Sequence, residues 1–103
     1  MSDDGAPVDA SVPVPRASVE WVELDGEAVL HDSGAGTLHR LNPTAAVVWA
    51  HCDGSRSVAE IVRLLQRAHP GADDAIGRDV RRLMERLRRL HLIALVAEVP
   101  QEP

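Results

Sequence analysis

The chain has 103 residues, 45% of them hydrophobic and 26% charged, with a formal net charge of -5 and a single cysteine. That length holds one small domain, and one cysteine excludes an intrachain disulfide and a thiolate zinc site. No apolar run approaches the roughly 20 residues of a membrane span, and the N-terminal MSDDGAPVDA lacks the apolar core of a secretory signal, so a cytoplasmic protein with no membrane partner is expected.

Residues 1–37 hold eight acids and one base, Arg16; residues 38–103 hold eight acids and ten bases, all Arg. The acidic total argues against non-specific nucleic-acid binding. The two Trp are the only aromatics, so stacking platforms for bases are lacking.

Residues 1–17 read as a disordered tail, because Pro7, Pro13 and Pro15 interrupt regular pairing. Ser18–Leu24 and Glu27–His31 read as a β-hairpin closed by Asp25-Gly26, a two-residue turn signal. Asp32–Gly36 is a connecting loop. Its two glycines lack the third Gly of a dinucleotide fingerprint and the Gly-Lys pair of a P-loop. Thr37–Leu41 reads as a third strand at one edge of the meander, where open backbone groups can recruit an extended peptide.

Asn42 suits an N-cap and Pro43 the first helical position. The spacing predicts a helix from Pro43 to about Cys52, with Ala45, Val48, Trp49 and Cys52 inward. Ser57 with Glu60 forms a capping box. The helix it opens carries an apolar stripe of Val58, Ile61, Val62, Leu65 and Ala68, and ends at His69-Pro70-Gly71. The third helix, Asp73–Leu90, places Ile76, Val80, Leu83, Leu87 and Leu90 on one stripe, widened by Met84. Asp79, Arg78, Arg82, Arg86 and Arg89 lie to one side of that stripe, with Arg81 and Arg88 on the far side near Glu85. Beside the core, Asp79 calls for a partner such as Arg82 or a backbone donor. His91 stands where Gly or Asn usually ends a helix. Leu92–Val99 is either a short terminal strand or an extended tail packed on the sheet, with residues 96–103 forming a C-terminal tail. The whole is an α+β, winged helix-turn-helix-like arrangement: a three-stranded antiparallel sheet followed by three helices.

No constellation reads as catalytic. The five histidines make no HxxxH or HxH pair, so no metal site is expected. Cys52 falls on an inward stripe as a small core residue, and no nucleophile motif is present. No cofactor is implied. The cationic last helix leaves a winged-helix DNA-binding protein as one reading. An adaptor in a kinase or transporter gene cluster is another.

Leu41-Asn42-Pro43-Thr44-Ala45-Ala46, Trp49, Asp53-Gly54-Ser55-Arg56-Ser57-Val58 with Ile61, Asp79-Val80, Leu83, Leu87 and Leu92-Ile93 together form a spaced set. It resembles the PqqD-like family, RiPP recognition elements of ribosomal-peptide modification pathways. The resemblance covers about residues 19–93 and departs at His91, where the family pattern has Gly. It implies a peptide-recognition domain over residues 18–95. It implies a non-catalytic adaptor that captures the leader of a precursor peptide by strand addition and presents it to a modifying enzyme, often a radical SAM protein. Carried onto this chain, the paired strand is Thr37, Leu38, His39, Arg40 and Leu41. The third helix supplies the groove wall, with Arg78, Asp79, Arg82, Leu83 and Arg86 as candidate contacts. Arg78, Arg82 and Arg86 would attract acidic leader side chains, and Leu38, Val80 and Leu83 would floor an apolar pocket. The sequence leaves open which flank of the helix faces the groove.

Overall fold

The computed structural model describes residues 8–97 and Val99. After a 3-10 turn at Val8–Ala10 come β1 (Val12–Pro15), β2 (Val19–Leu24), β3 (Glu27–Asp32) and β4 (Thr37–Leu41). The helices α1 (Pro43–Ala50), α2 (Val58–Ala68) and α3 (Asp73–Arg89) follow, and β5 (Ile93–Val96) closes the chain. The α+β architecture expected from the sequence is present: an antiparallel sheet ordered β2-β3-β4, then three helices. A second, two-stranded sheet pairs β1 with β5.

The β2–β3 turn takes positive φ at both central residues, Asp25 at 54° and Gly26 at 81°. This is the primed turn whose twist matches that of a hairpin. It sets Leu24 opposite Glu27 and Val22 opposite Val29, and the next turn sets Leu30 opposite His39 and Ala28 opposite Leu41. Ala28 and Leu30 are fully buried and Leu41 nearly so, so one sheet face packs on the helices. The Asp32 carboxylate organises the β3–β4 turn. It accepts from the Ser18 hydroxyl at 2.8 Å and from the Gly34 N–H at 3.0 Å.

Asn42 caps α1 by accepting from the Ala45 N–H at 2.8 Å. Ala46, Val48 and Trp49 turn inward, and Trp21 meets Trp49 edge-on with centroids 6.3 Å apart. The Ser57–Glu60 capping box of α2 is complete in both directions. Its stripe is buried at Val58, Ile61, Val62 and Leu65, while Ala68 is exposed. On α3, Gly77, Val80, Leu83, Met84 and Leu87 are buried, but Ile76 is only half-buried and Leu90 is exposed. The predicted stripe thus holds in the middle of the helix and leaves the core at both ends. His91 terminates α3 at φ 60°. The Leu92 N–H returns to the Leu87 carbonyl and the His91 N–H to that of Arg88, the two bonds of a Schellman close.

The N-terminal segment departs from expectation. Residues 1–7 lie outside the described residues, but Val12–Pro15 is a strand rather than part of a tail. It pairs with β5 in the register Val12 to Val96 and Pro15 to Ile93. The prolines are tolerated because they alternate. The Pro13 carbonyl points away from β5 and accepts from Gly54 N–H, whereas the Arg16 N–H reaches Leu92. The ladder bonds therefore fall on Val12, Val14 and Arg16, and the missing proline donors face outward, as strand prolines require. Val12 and Pro13 are buried. Of the region expected as a C-terminal tail, Val96 belongs to β5, and Glu98 and residues 100–103 lie outside the described residues.

Candidate functional site

β4 forms one edge of the three-stranded sheet. Which of its backbone groups are open follows from the register. A two-residue turn makes Leu24 and Glu27 the first hydrogen-bonded pair, and alternation then directs Ala28, Leu30 and Asp32 toward β4. Their partners Leu41, His39 and Thr37 are engaged with β3. The N–H and C=O groups of Leu38 and Arg40 point outward, available to another strand. The Arg40 side chain does not block this edge, because it folds back to Glu27 with Nη2 2.8 Å from Oε1.

Beyond Leu41 the edge runs into a cleft of about 700 Å³ between α1 and α3. The start of α1 supplies Asn42, Pro43, Thr44, Ala45, Val47 and Val48; Leu65 and His69 come from the end of α2 and the turn after it. The α3 wall consists of Ile76, Asp79, Val80, Arg82, Leu83 and Arg86. The floor is aliphatic, and the two guanidinium groups lie on the α3 side.

The structure thus gives the orientation of α3. The flank bearing Asp79, Arg82 and Arg86 faces the cleft with Leu83, whereas Arg78 does not line it. Among the described residues, Arg82 and Arg86 are in no ion pair; Arg81 is bound through two bonds, 2.7 and 3.0 Å, to Asp9. That guanidinium holds the Asp9 carboxyl below the usual carboxylate range. Glu85 pairs with Arg88 at 2.9 Å. Asp79 was expected to need a partner; it is exposed and has no hydrogen bond or ion pair among the described residues, so water solvates it.

The five β4 residues divide between two faces. Thr37, His39 and Leu41 share the helix-facing side with Leu30, and Leu41 is buried. Leu38 lies on the opposite face, 70% exposed. It therefore cannot floor a pocket with Val80 and Leu83: one residue of alternation separates the faces. The α1 contribution was missed, although a signal was present. Ala45 to Ala50 is apolar all round, and a helix with no polar face has more than one apolar surface to cover. Val47, 49% exposed, is the outer one, on the cleft.

Among the described residues, nothing at this site resembles a nucleophile or a metal cage. The Cys52 thiol is buried, donates to the Val48 carbonyl, and is pushed up to about 12, mainly by burial, so no thiolate forms near neutral pH. Among the described residues, no three His, Cys, Asp or Glu side chains converge as a metal site.

Comparison with known proteins agrees with this geometry. The family model described as coenzyme PQQ synthesis protein D (PqqD) matches residues 27–93. The chain belongs to the PqqD family. Two PqqD-family relatives, the PqqA binding proteins of Pseudomonas fluorescens strains SBW25 and Pf0-1, are each 34% identical over 70 residues. The match spans 68% of this chain and 72% of each relative. Two solved structures share the fold, both with a TM-score of 0.70. One is TbiB1 in complex with the TbiA(beta) leader peptide, at 21% identity over 78% of this chain and 93% of that one. The other is a lasso peptide synthetase B1 complexed with the leader peptide, at 22% identity over 80% and 96%. The PqqD match begins at Glu27, the first residue of β3, and ends at Ile93, the first of β5. It therefore spans β4, α1 and α3, which form the open edge and the cleft.

Proposed function

We propose that this protein is a non-catalytic leader-peptide adaptor: it captures a ribosomally made precursor peptide and presents it to a modifying enzyme. The observation that carries this reading is an open strand edge, Leu38 and Arg40, continuous with an aliphatic cleft whose wall bears Arg82 and Arg86. An extended peptide gains sequence-tolerant affinity from main-chain bonds to β4. Side chains of the same peptide that enter the cleft supply selectivity, an apolar one over Val80 and Leu83 and an acidic one toward the arginines. Thr37, His39 and Leu41 set the inner register, and Asp79 disfavours a second acidic group nearby. The PqqA-binding relatives and the leader-bound solved folds support a precursor peptide as the ligand. No described helix is long and apolar enough to cross a membrane, and we place the adaptor in the cytoplasm, where precursor peptides are made.

The DNA-binding alternative gains no support. On α3, Arg81 is tied to Asp9 and Arg88 to Glu85. Arg82 and Arg86 line a cleft rather than standing on a protruding helix that could enter a DNA groove.

Calorimetric titration with the leader of its precursor tests the proposal, with an expected Kd of about 1 μM or tighter, near -8 kcal/mol. Leu38→Pro removes an outward donor on an edge strand that otherwise tolerates proline. It is expected to abolish binding while the protein stays folded. Leu41→Pro is a poor substitute, because its N–H belongs to the β3 ladder. Unchanged leader affinity in folded Leu38→Pro would refute strand addition.

A further inference from the structure

The proposed leader edge, β4, is one of two edges of the sheet; β2 forms the other. The Ser33 N–H bonds to the Ser18 carbonyl at 3.0 Å. Alternation therefore turns Ser18, Glu20, Val22 and Leu24 toward β3 and leaves Val19, Trp21 and Glu23 facing outward. The Val19 N–H is taken by the Arg16 carbonyl at 3.1 Å. Trp21 and Glu23 thus keep both main-chain groups open. Their strand is also uncovered: Trp21 is 43% exposed, Val22 55% and Leu24 58%. Three of the seven large hydrophobic residues exposed among the described residues therefore lie on one edge strand. Edges of this kind are templates for a further strand unless proline, lysine or a bulge blunts them. Val19–Leu24 contains neither proline nor lysine and pairs with β3 without a bulge. Its charged residues are Glu20 and Glu23, and their placement selects the partner.

The strand is complementary to itself in one register. Antiparallel pairing about a two-fold axis can match Trp21 of each copy with Glu23 of the other. This forms four main-chain bonds, all from groups that are open. Val22 then lies on the axis opposite Val22 of the second copy, and Glu20 lies opposite Leu24, so no carboxylate stands directly across from another. The second copy's strand ends at Leu24, where its chain turns at Asp25-Gly26, and it stops short of the Arg16 carbonyl at Val19. Neighbouring registers fail. Trp21 on the axis sets Glu23 against Val19, whose donor is taken, and Glu23 on the axis sets carboxylate against carboxylate. Charge agrees with the choice. Arg16 is exposed, is in no ion pair among the described residues, and borders the end at which the second copy's Asp25 arrives.

We propose that this protein pairs with a second copy through β2. The result is a closed two-fold dimer with one sheet ordered β4-β3-β2-β2-β3-β4. Each outer end keeps an open β4 edge and its cleft, so the dimer offers two equivalent peptide sites that do not obstruct each other. The self-pairing does not depend on the leader reading. A single strand pair is a small interface of the weak class. The two copies of Glu23 are also diagonal neighbours across the axis, within about 8 Å. Both features make the dimer reversible, with a Kd on the order of 10–100 μM.

Sedimentation equilibrium of the full chain from about 5 to about 500 μM is expected to show a monomer–dimer equilibrium. Val22→Glu sets two carboxylates face to face on the axis. Glu23→Pro deletes an outward donor on an edge strand, where proline is tolerated. Each is expected to weaken association about tenfold or more, with near-UV circular dichroism reporting a folded protein. Glu23→Gln removes the diagonal repulsion and is expected to tighten association. Saturating leader is expected to leave it unchanged, and Val22→Glu is expected to bind leader as the parent does. A parent that stays monomeric throughout overturns the proposal. Parental association in both Val22→Glu and Glu23→Pro does the same, by placing the contact elsewhere. So does a dimer that leader dissociates, because the copies would then be paired through β4. If the parent binds no leader, the leader reading fails, and the sedimentation series still decides the β2 pairing.

Discussion

Arg82 and Arg86 differ from the other cations of α3 in one respect that matters for recognition: they face the cleft and are in no ion pair among the described residues. Replacing both with Glu breaks no internal contact, so the fold is expected to persist. Affinity for an acidic leader is expected to fall about tenfold or more, equivalent to about 1.4 kcal/mol. Arg78→Glu, off the cleft, serves as the control and is expected to stay within about twofold; calorimetry at one ionic strength separates them. Asp32 acts differently, by holding the turn that presents the edge strand. Its carboxyl is held below the usual carboxylate range, first by the Ser18 hydroxyl and then by the Ala35 and Gly34 N–H groups, against the opposing effect of burial. A folded-state pKa below the unfolded one means the contribution is present above the unfolded value. It is lost as pH falls through the folded value. Thermal unfolding followed from about pH 5 to pH 2 is expected to show this acid limb in the parent. The Asp32→Asn variant should show a shallower one and a lower midpoint at neutral pH.

At the scale of elements, the three helices and the hairpin were legible because each has a local physical signature. Asp25-Gly26 permits the positive φ of the turn, Ser57 and Glu60 close a capping box, and the α3 apolar spacing survives in Val80, Leu83 and Leu87. β1 was not legible. Pro13 and Pro15 read as breakers, and only the register with β5 reveals that both occupy positions where no donor is required. The cleft was half legible for a related reason. The α3 side follows from helical spacing, but which flank turns toward α1 depends on how the two helices pack, and Leu38 was misplaced because its face depends on the strand register. The end of α3 offers a direct test. His91 is held in the left-handed region at φ 60°, where a Cβ costs about 1–2 kcal/mol. His91→Gly is therefore expected to stabilise the protein by about 1 kcal/mol, less the backbone entropy that glycine gives up. Equilibrium urea unfolding checks it, with an unchanged m-value expected.

Over the whole molecule, charge is segregated: the β2–β3 hairpin is acidic while the exposed flanks of α3 are cationic. On the proposed reading, such polarity would orient an acidic leader toward the cleft and away from the outer sheet face. Leader association is expected to slow as salt rises, because the Debye length shrinks from about 10 Å at 0.1 M to about 3 Å at 1 M. Stopped-flow titration would show this mainly in the on-rate, with dissociation changing less. The pairing of β1 with β5 has a separate architectural consequence. Val12 stands opposite Val96, so the chain enters and leaves the fold at the same place, on neighbouring strands of one ribbon. A domain whose two ends are neighbours can be spliced into a surface loop of a larger polypeptide without being stretched. On the proposed reading the unit is in this sense portable: joined through either end, or through both, to a modifying enzyme, it would trade a diffusing adaptor for a tethered one and raise the local concentration of captured peptide.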